Sequence, residues 1–151
     1  MPTLDHKEST VPLKKRRNSA NADWPSILYV DDDPNIISSM ERFFHRYRVR
    51  LECAYHGMQG IWLAATHPPD LIITDLTMPL ASGEELIDCL AAHPATRETP
   101  IVVLSGRNNV RLNAKLKTSG VIEVLQKPVA FETLFNLVSR IVPLQERAAA
   151  G

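Results

Sequence analysis

Three consecutive carboxylates, Asp31, Asp32 and Asp33, close the apolar run Ile27 to Val30, and Asp75 closes a second such run, Leu71 to Thr74. Ser105 with Gly106 follows a third run, Ile101 to Leu104, and Lys127 with Pro128 follows a fourth, Val121 to Leu125. Carboxylates gathered at one place repel, which costs free energy unless one is protonated or a cation joins them, and hard oxygen ligands suit Mg²⁺. A metal, a hydroxyl donor and a fixed positive charge around a free carboxylate are what phosphoryl transfer to aspartate needs, because positioning and charge neutralisation supply most of its catalysis. On that chemistry Asp75 is the candidate nucleophile, with Ser105 and Lys127 beside it.

Each residue also has a plainer reading. Asp31 to Asp33 before Pro34 can start and cap a helix, since Asp is favoured at caps and Pro in the first turn. Asp75 ahead of Met78 and Pro79, Ser105 with Gly106, and Lys127 with Pro128 can each be a turn or loop. Taken together, four unrelated turns would have to place the right chemistry at four strand ends, and the joint reading as a site is the stronger one.

The elements that must bring these groups together follow from the pattern. Ile27 to Val30, Val49 to Cys53, Leu71 to Thr74, Ile101 to Leu104 and Val121 to Leu125 read as strands. Between them, apolar residues recur at three- and four-residue spacing, as in Ile36, Ile37, Met40, Phe43, Phe44, Tyr47 and again in Phe131, Leu134, Phe135, Val138, Ile141, Val142, which predicts amphipathic helices. Ser82 with Glu85, just before Leu86, Ile87 and Leu90, is a capping box for the third helix. Short βα units joined by right-handed crossovers give a doubly wound (βα)5 domain: a five-stranded parallel sheet between two layers of helices, a flavodoxin-like three-layer sandwich. Three runs are continuously apolar, whereas Arg48 to Cys53 alternates and the fifth run holds Glu123, so strands two and five are the edges. An order of 2-1-3-4-5 satisfies this and places the ligand crevice at the C-terminal ends of strands one and three.

With the fold in place, the residues resemble the receiver domains of two-component response regulators, the CheY-like superfamily. The likeness covers about Ser26 to Val142. It rests on Ile27-Leu28-Tyr29-Val30-Asp31-Asp32-Asp33-Pro34, on Asp70 through Pro79 with Gly83 and Leu86, on Val102-Val103-Leu104-Ser105-Gly106, and on Lys127-Pro128. The resemblance implies that Asp75 accepts a phosphoryl group from a phosphohistidine of a sensor histidine kinase or histidine phosphotransfer protein. It also implies that Mg²⁺, with Mn²⁺ as a possible substitute, is held by Asp31, Asp32, Asp75 and the backbone carbonyl of Thr77, Asp31 acting through water. By the same likeness Asp33 is a spectator, Ser105 hydrogen-bonds the phosphoryl group, Lys127 pairs with it, and the Lys127-Pro128 peptide is cis. The sequence departs from the family at Val124, three residues before Lys127, where an aromatic ring commonly reports activation on the face of the fourth helix, fifth strand and fifth helix. Ala81 is smaller than the residue common in its loop, and Thr77 and Arg107 stand where the family tunes the lifetime of the phosphoryl group.

Composition bounds the rest. The 151 residues leave room for one domain and its tails, and 44% hydrophobic with 23% charged residues is the make-up of a globular protein. Residues 1–23 read as a flexible basic leader, 24–142 as the domain and 143–151 as a short C-terminal tail, so a stand-alone receiver that signals by docking to a downstream protein target is expected. Basic and acidic residues number 17 each, which gives no global field for nucleic acid. Lys14 to Arg17 is read as a solvated run rather than a nucleic-acid patch, and no direct nucleic-acid binding is expected. No apolar run reaches the roughly 18 residues of a membrane span, so a cytoplasmic protein without membrane contact is expected, as a monomer or a weak phosphorylation-dependent dimer. Cys53 and Cys89 read as reduced core thiols, Trp24 and Trp62 as packing residues, and the five histidines as surface or interface residues without ligand spacing. Asn35, Ser38 and Ser39 on the first helix are the expected kinase-facing surface. The chain is expected to be a signalling phosphoacceptor rather than an enzyme acting on other substrates. A degenerate receiver working only as an interaction module would lack an acid or the Lys, and none is missing. A haloacid dehalogenase-type phosphohydrolase is disfavoured by Asn35, by the lack of a cap insertion and by the lack of a second late acidic pair.

Overall fold

The computed structural model describes residues 23–78, 82–106 and 109–148. The leader before Asp23, the segment Pro79 to Ala81, Arg107, Asn108 and the last three residues lie outside the described residues. Five βα units follow one another: β1 (Ser26–Val30), α1 (Pro34–Phe44), β2 (Arg50–Ala54), α2 (Gly57–Thr66), β3 (Leu71–Asp75), α3 (Gly83–Ala92), β4 (Ile101–Ser105), α4 (Val110–Thr118), β5 (Val121–Gln126) and α5 (Phe131–Ser139). The strands form one parallel sheet in the order β2-β1-β3-β4-β5, as the polarity of the runs predicts. Every residue of β1, β3 and β4 is buried, while β2 and β5 carry exposed positions, because only the inner strands are covered on both faces.

Strand side chains alternate between two apolar layers. Ile27, Tyr29, Leu71, Ile73, Val102 and Leu104 pack under α1 and α5, while Leu28, Val30, Ile72, Ile101 and Val103 pack under α2, α3 and α4. Gly60 lets α2 lie close to the sheet: a Cβ there would sit 3.1 Å from Val30 Cγ2. The helices start where their caps dictate. Asp33 accepts from the Asn35 amide with Pro34 in the first turn of α1, and Ser82 and Glu85 form the full capping box of α3.

The structure corrects several details of the sequence reading. β2 begins at Arg50, one residue later than the alternation suggests, because Tyr47 and Arg48 pair instead with the chain that returns after α5, through a Tyr47–Glu146 bridge and the Arg48 amide on Gln145 O. There Arg147 lies over the Trp24 ring at 4.9 Å and donates to Tyr47 O. Cys89 and Trp62 are exposed rather than core, being on the outer faces of α3 and α2, and Cys53 is half-buried. An apolar neighbourhood in sequence does not set helix phase.

Candidate functional site

The C-terminal ends of β1, β3, β4 and β5 meet at one edge of the sheet. Asp31 directly follows β1, and its amide donates to Ala54 O, which ties this turn to the neighbouring strand. Its side chain is only 1% exposed: Oδ1 accepts from the Asp33 amide at 3.0 Å, and Oδ2 faces Lys127 Nζ at 3.6 Å. Asp75, the last residue of β3, is 6% exposed and has Lys127 Nζ 3.0 Å from Oδ1. Asp31, exposed Asp32 and Asp75 each bring a carboxylate oxygen within 4.8 Å of the other two. Ser105, buried, ends β4, and its carbonyl accepts the Lys127 amide at 2.8 Å, so backbone pairing sets the origin of the lysine side chain beside it. The Lys127-Pro128 peptide is cis. Thr77 lies exposed two residues past Asp75.

Asp33 stands apart in role: its side chain caps α1, and only its amide reaches the cluster, through Asp31 Oδ1. Val124 is half-buried in β5 opposite Val103. Gly83 supports the nucleophile candidate from behind. A Cβ there would lie 2.5 Å from the Asp75 carbonyl oxygen and 2.8 Å from Leu76 Cα, so the first turn of α3 presses on the backbone of the β3 end as only glycine allows. Sequence reasoning passed over Tyr29, whose hydroxyl donates to Asp31 Oδ2 at 3.4 Å. The available signal was period two, since residues 29 and 31 share a face of an extended segment.

The electrostatics match this crowding. Burial pushes the Asp31 carboxyl up; the Asp33 amide and Lys127 oppose it, and the charges of Asp75 and Asp32 add to it. Burial alone would lower the Lys127 ammonium, but the hydrogen bond to Asp75 and the charges of Asp31 and Asp75 outweigh it and raise it. Burial first, and Asp31 second, push the Tyr29 phenol up, so it stays a donor. Three clustered carboxylates, two of them against one ammonium, form an all-oxygen donor set short of positive charge, which fits a hard divalent cation. Such a site can hold charge density on an oxyanion next to a nucleophilic carboxylate.

The family model described as the response regulator receiver domain matches residues 27–139. Among curated proteins, the sensor histidine kinase TmoS of Ectopseudomonas mendocina is 32% identical over 95% of this chain and 15% of its own length. The transcriptional regulatory protein PrrA of Mycobacterium tuberculosis is 30% identical over 82% of this chain and 51% of its own. The chain thus spans about half or less of the length of these relatives. Among solved structures, the receiver domain of the Francisella response regulator 1452 is 26% identical with a TM-score of 0.72, covering 78% of this chain and 95% of that one. The chemotaxis protein CheY4 of Vibrio cholerae is 25% identical with a TM-score of 0.74, covering 79% and 99%. The receiver domain of the sensor histidine kinase PA1611 of Pseudomonas aeruginosa, with magnesium in its active-site cleft, shares the fold at 23% identity and a TM-score of 0.70, covering 78% and 97%. Among the described residues no helix is long and apolar enough to cross a membrane.

Proposed function

Because the chain belongs to the response regulator receiver domain family of two-component signalling, we propose that Asp75 is its phosphoacceptor and that the surrounding groups carry the transfer. The observation that carries this reading is the 3.0 Å contact of Lys127 Nζ with Asp75 Oδ1 beside three carboxylate oxygens within 4.8 Å of one another. A carboxylate oxygen of Asp75 attacks the phosphorus of a phosphohistidine, the P–N bond breaks, and an aspartyl phosphate forms. Lys127, already on Oδ1, leaves the second Asp75 oxygen for the attack and then pairs with the phosphoryl oxygens. Ser105, at the end of β4, donates its hydroxyl to one of them.

Asp31, Asp32, Asp75 and the carbonyl of Thr77 would hold Mg²⁺, Asp31 through water, with Mn²⁺ as a substitute. When bound, the metal neutralises charge on the transferring group. The donor is a sensor histidine kinase or histidine phosphotransfer protein, docking over Asn35, Ser38 and Ser39 of α1, next to the acids. Phosphorylation then biases the chain toward a form with higher affinity for a protein target. Val124 offers no ring to report the change, so Ser105 and its loop carry it.

Intact mass after incubation with Mg²⁺ and acetyl phosphate tests the reading. A gain of about 80 Da that requires both Mg²⁺ and Asp75, lost in Asp75→Ala, is expected. No adduct from either acetyl phosphate or a panel of phosphorylated kinases would overturn it.

A further inference from the structure

Tyr29 is fully buried as the next-to-last residue of β1, yet it ends in a polar group two residues from the acidic cluster. Its ring packs in the layer under α1 and borders, with Ile36, Met40, Leu104 and Val129, an apolar cavity of about 450 Å³ that opens beside Lys127. In those surroundings the hydroxyl is directed at Asp31 Oδ2. That oxygen has two neighbours of different kinds, the neutral phenol at 3.4 Å and the Lys127 ammonium at 3.6 Å, while Oδ1 is held by the Asp33 amide. The phenol therefore takes up part of the hydrogen-bonding capacity of Oδ2 that Lys127 would otherwise satisfy, and Lys127 sits closer to Asp75, at 3.0 Å. Groups that orient a ligating side chain from behind are commonly as consequential as the ligands themselves.

We propose that Tyr29 is a positioning residue: acting through Asp31, it sets the carboxylate orientation on which the Mg²⁺ affinity of the Asp31, Asp32 and Asp75 cluster depends and keeps Lys127 on Asp75. The inference rests on the reading of that cluster as a divalent cation site. Removing the hydroxyl frees Asp31 Oδ2 to rotate toward Lys127, so the ammonium is shared more evenly between the two acids and competes more strongly with the cation.

The test is a calorimetric titration of the unphosphorylated full chain with Mg²⁺, for the wild type, Tyr29→Phe, Asp31→Asn and the double variant. Tyr29→Phe keeps the ring and is expected to weaken Mg²⁺ binding by about 10-fold. In the Asp31→Asn background, whose own weakened Mg²⁺ binding is read at correspondingly higher Mg²⁺, the same change is expected to have no further effect, because a neutral amide at position 31 no longer draws the Lys127 ammonium away from Asp75. Phosphorylation of Tyr29→Phe by acetyl phosphate should return to the wild-type rate at saturating Mg²⁺, a rescue that a general packing defect would not show. An unchanged Mg²⁺ affinity in Tyr29→Phe, or an equal loss in both backgrounds, overturns the inference and leaves the proposed function standing. A wild-type chain that binds no Mg²⁺ overturns both.

Discussion

Lys127 Nζ lies 3.0 Å from Asp75 Oδ1 and 3.6 Å from Asp31 Oδ2, so one ammonium serves two buried carboxylates at the ends of adjacent strands. Taking two acids out of water is costly, and one lysine offsets only part of that cost. The geometry places the positive charge against the nucleophile candidate rather than midway between the acids.

This relationship has a pH signature. The folded Lys127 ammonium titrates above its ordinary 10.5, because the bond to Asp75 and the charges of Asp31 and Asp75 outweigh burial. A raised folded value means the folded state holds that proton more tightly than the unfolded chain does. The stability it contributes is fully present below pH 10.5 and is lost as pH rises through the folded value. Metal-free Lys127→Met should therefore melt below the wild type at neutral pH, with the gap closing at strongly alkaline pH. Thermal midpoints from about pH 7 to about pH 12 check it, and a gap that stays constant across that range would contradict the assignment.

Adjacent Asp32 and Asp33 should separate cleanly into metal and helix roles. Asp33 caps α1 through the Asn35 amide, so Asp33→Ala should cost about 1 kcal/mol of stability and leave the thermal shift caused by Mg²⁺ intact. Asp32 is exposed and contributes a carboxylate to the cluster, so Asp32→Ala should leave metal-free stability nearly unchanged while abolishing most of the Mg²⁺ shift. Melts of both variants with and without Mg²⁺ decide it; the reverse pattern would exchange the two roles.

Gly83 supplies a steric prediction. The added methyl of Gly83→Ala meets main-chain atoms, the Asp75 carbonyl oxygen at 2.5 Å and Leu76 Cα at 2.8 Å, and backbone cannot swing away as a side chain can. A loss of about 1–3 kcal/mol is expected, together with slower phosphorylation as the β3 end is displaced. Gly106→Ala, with nothing within 4 Å of its would-be Cβ, is the stability control and should stay within about 0.5 kcal/mol of the wild type. Chemical denaturation of the two variants side by side makes the comparison.

Much of this architecture was legible in the chain because inner and edge strands have different solvents. β1, β3 and β4 read as continuous apolar runs since both of their faces are covered, and the polar residues of β2 and β5 mark them as edges. The Ser82–Glu85 box was legible because a reciprocal cap needs those types at that spacing. Legibility ended where tertiary contacts decide. The one-residue slide of β2 is set by pairing with Glu146 and Gln145, far away in sequence, and the outward faces of Trp62 and Cys89 depend on helix phase. Tyr29 was passed over for a different reason: it counts as an apolar strand residue, and period two, which puts it on the same face as Asp31, matters only once its hydroxyl is considered as well as its ring. The candidate site itself was legible as four strand ends, but the division of Lys127 between two acids was not.

The two thiols differ in how far solvent reaches them: Cys53 lies beside Tyr29 in the sheet, and Cys89 is on the outer face of α3. Cys53 is half-buried in β2, and burial, with Glu41 and Glu52 adding to it, pushes its thiol up to about 12. The thiolate is the reactive form, so at neutral pH Cys53 is nearly inert, whereas Cys89 on the outer face of α3 is open to solvent. A maleimide applied to the native chain should add one label, at Cys89, and Cys89→Ser should stay unlabelled until denaturant exposes Cys53. Because Cys89 is not among the groups that meet at the strand ends, labelled protein should still accept a phosphoryl group at the unlabelled rate. Peptide mapping locates the label, and rapid native labelling at Cys53 would show that β2 opens at the sheet edge more readily than its pairing with β1 implies.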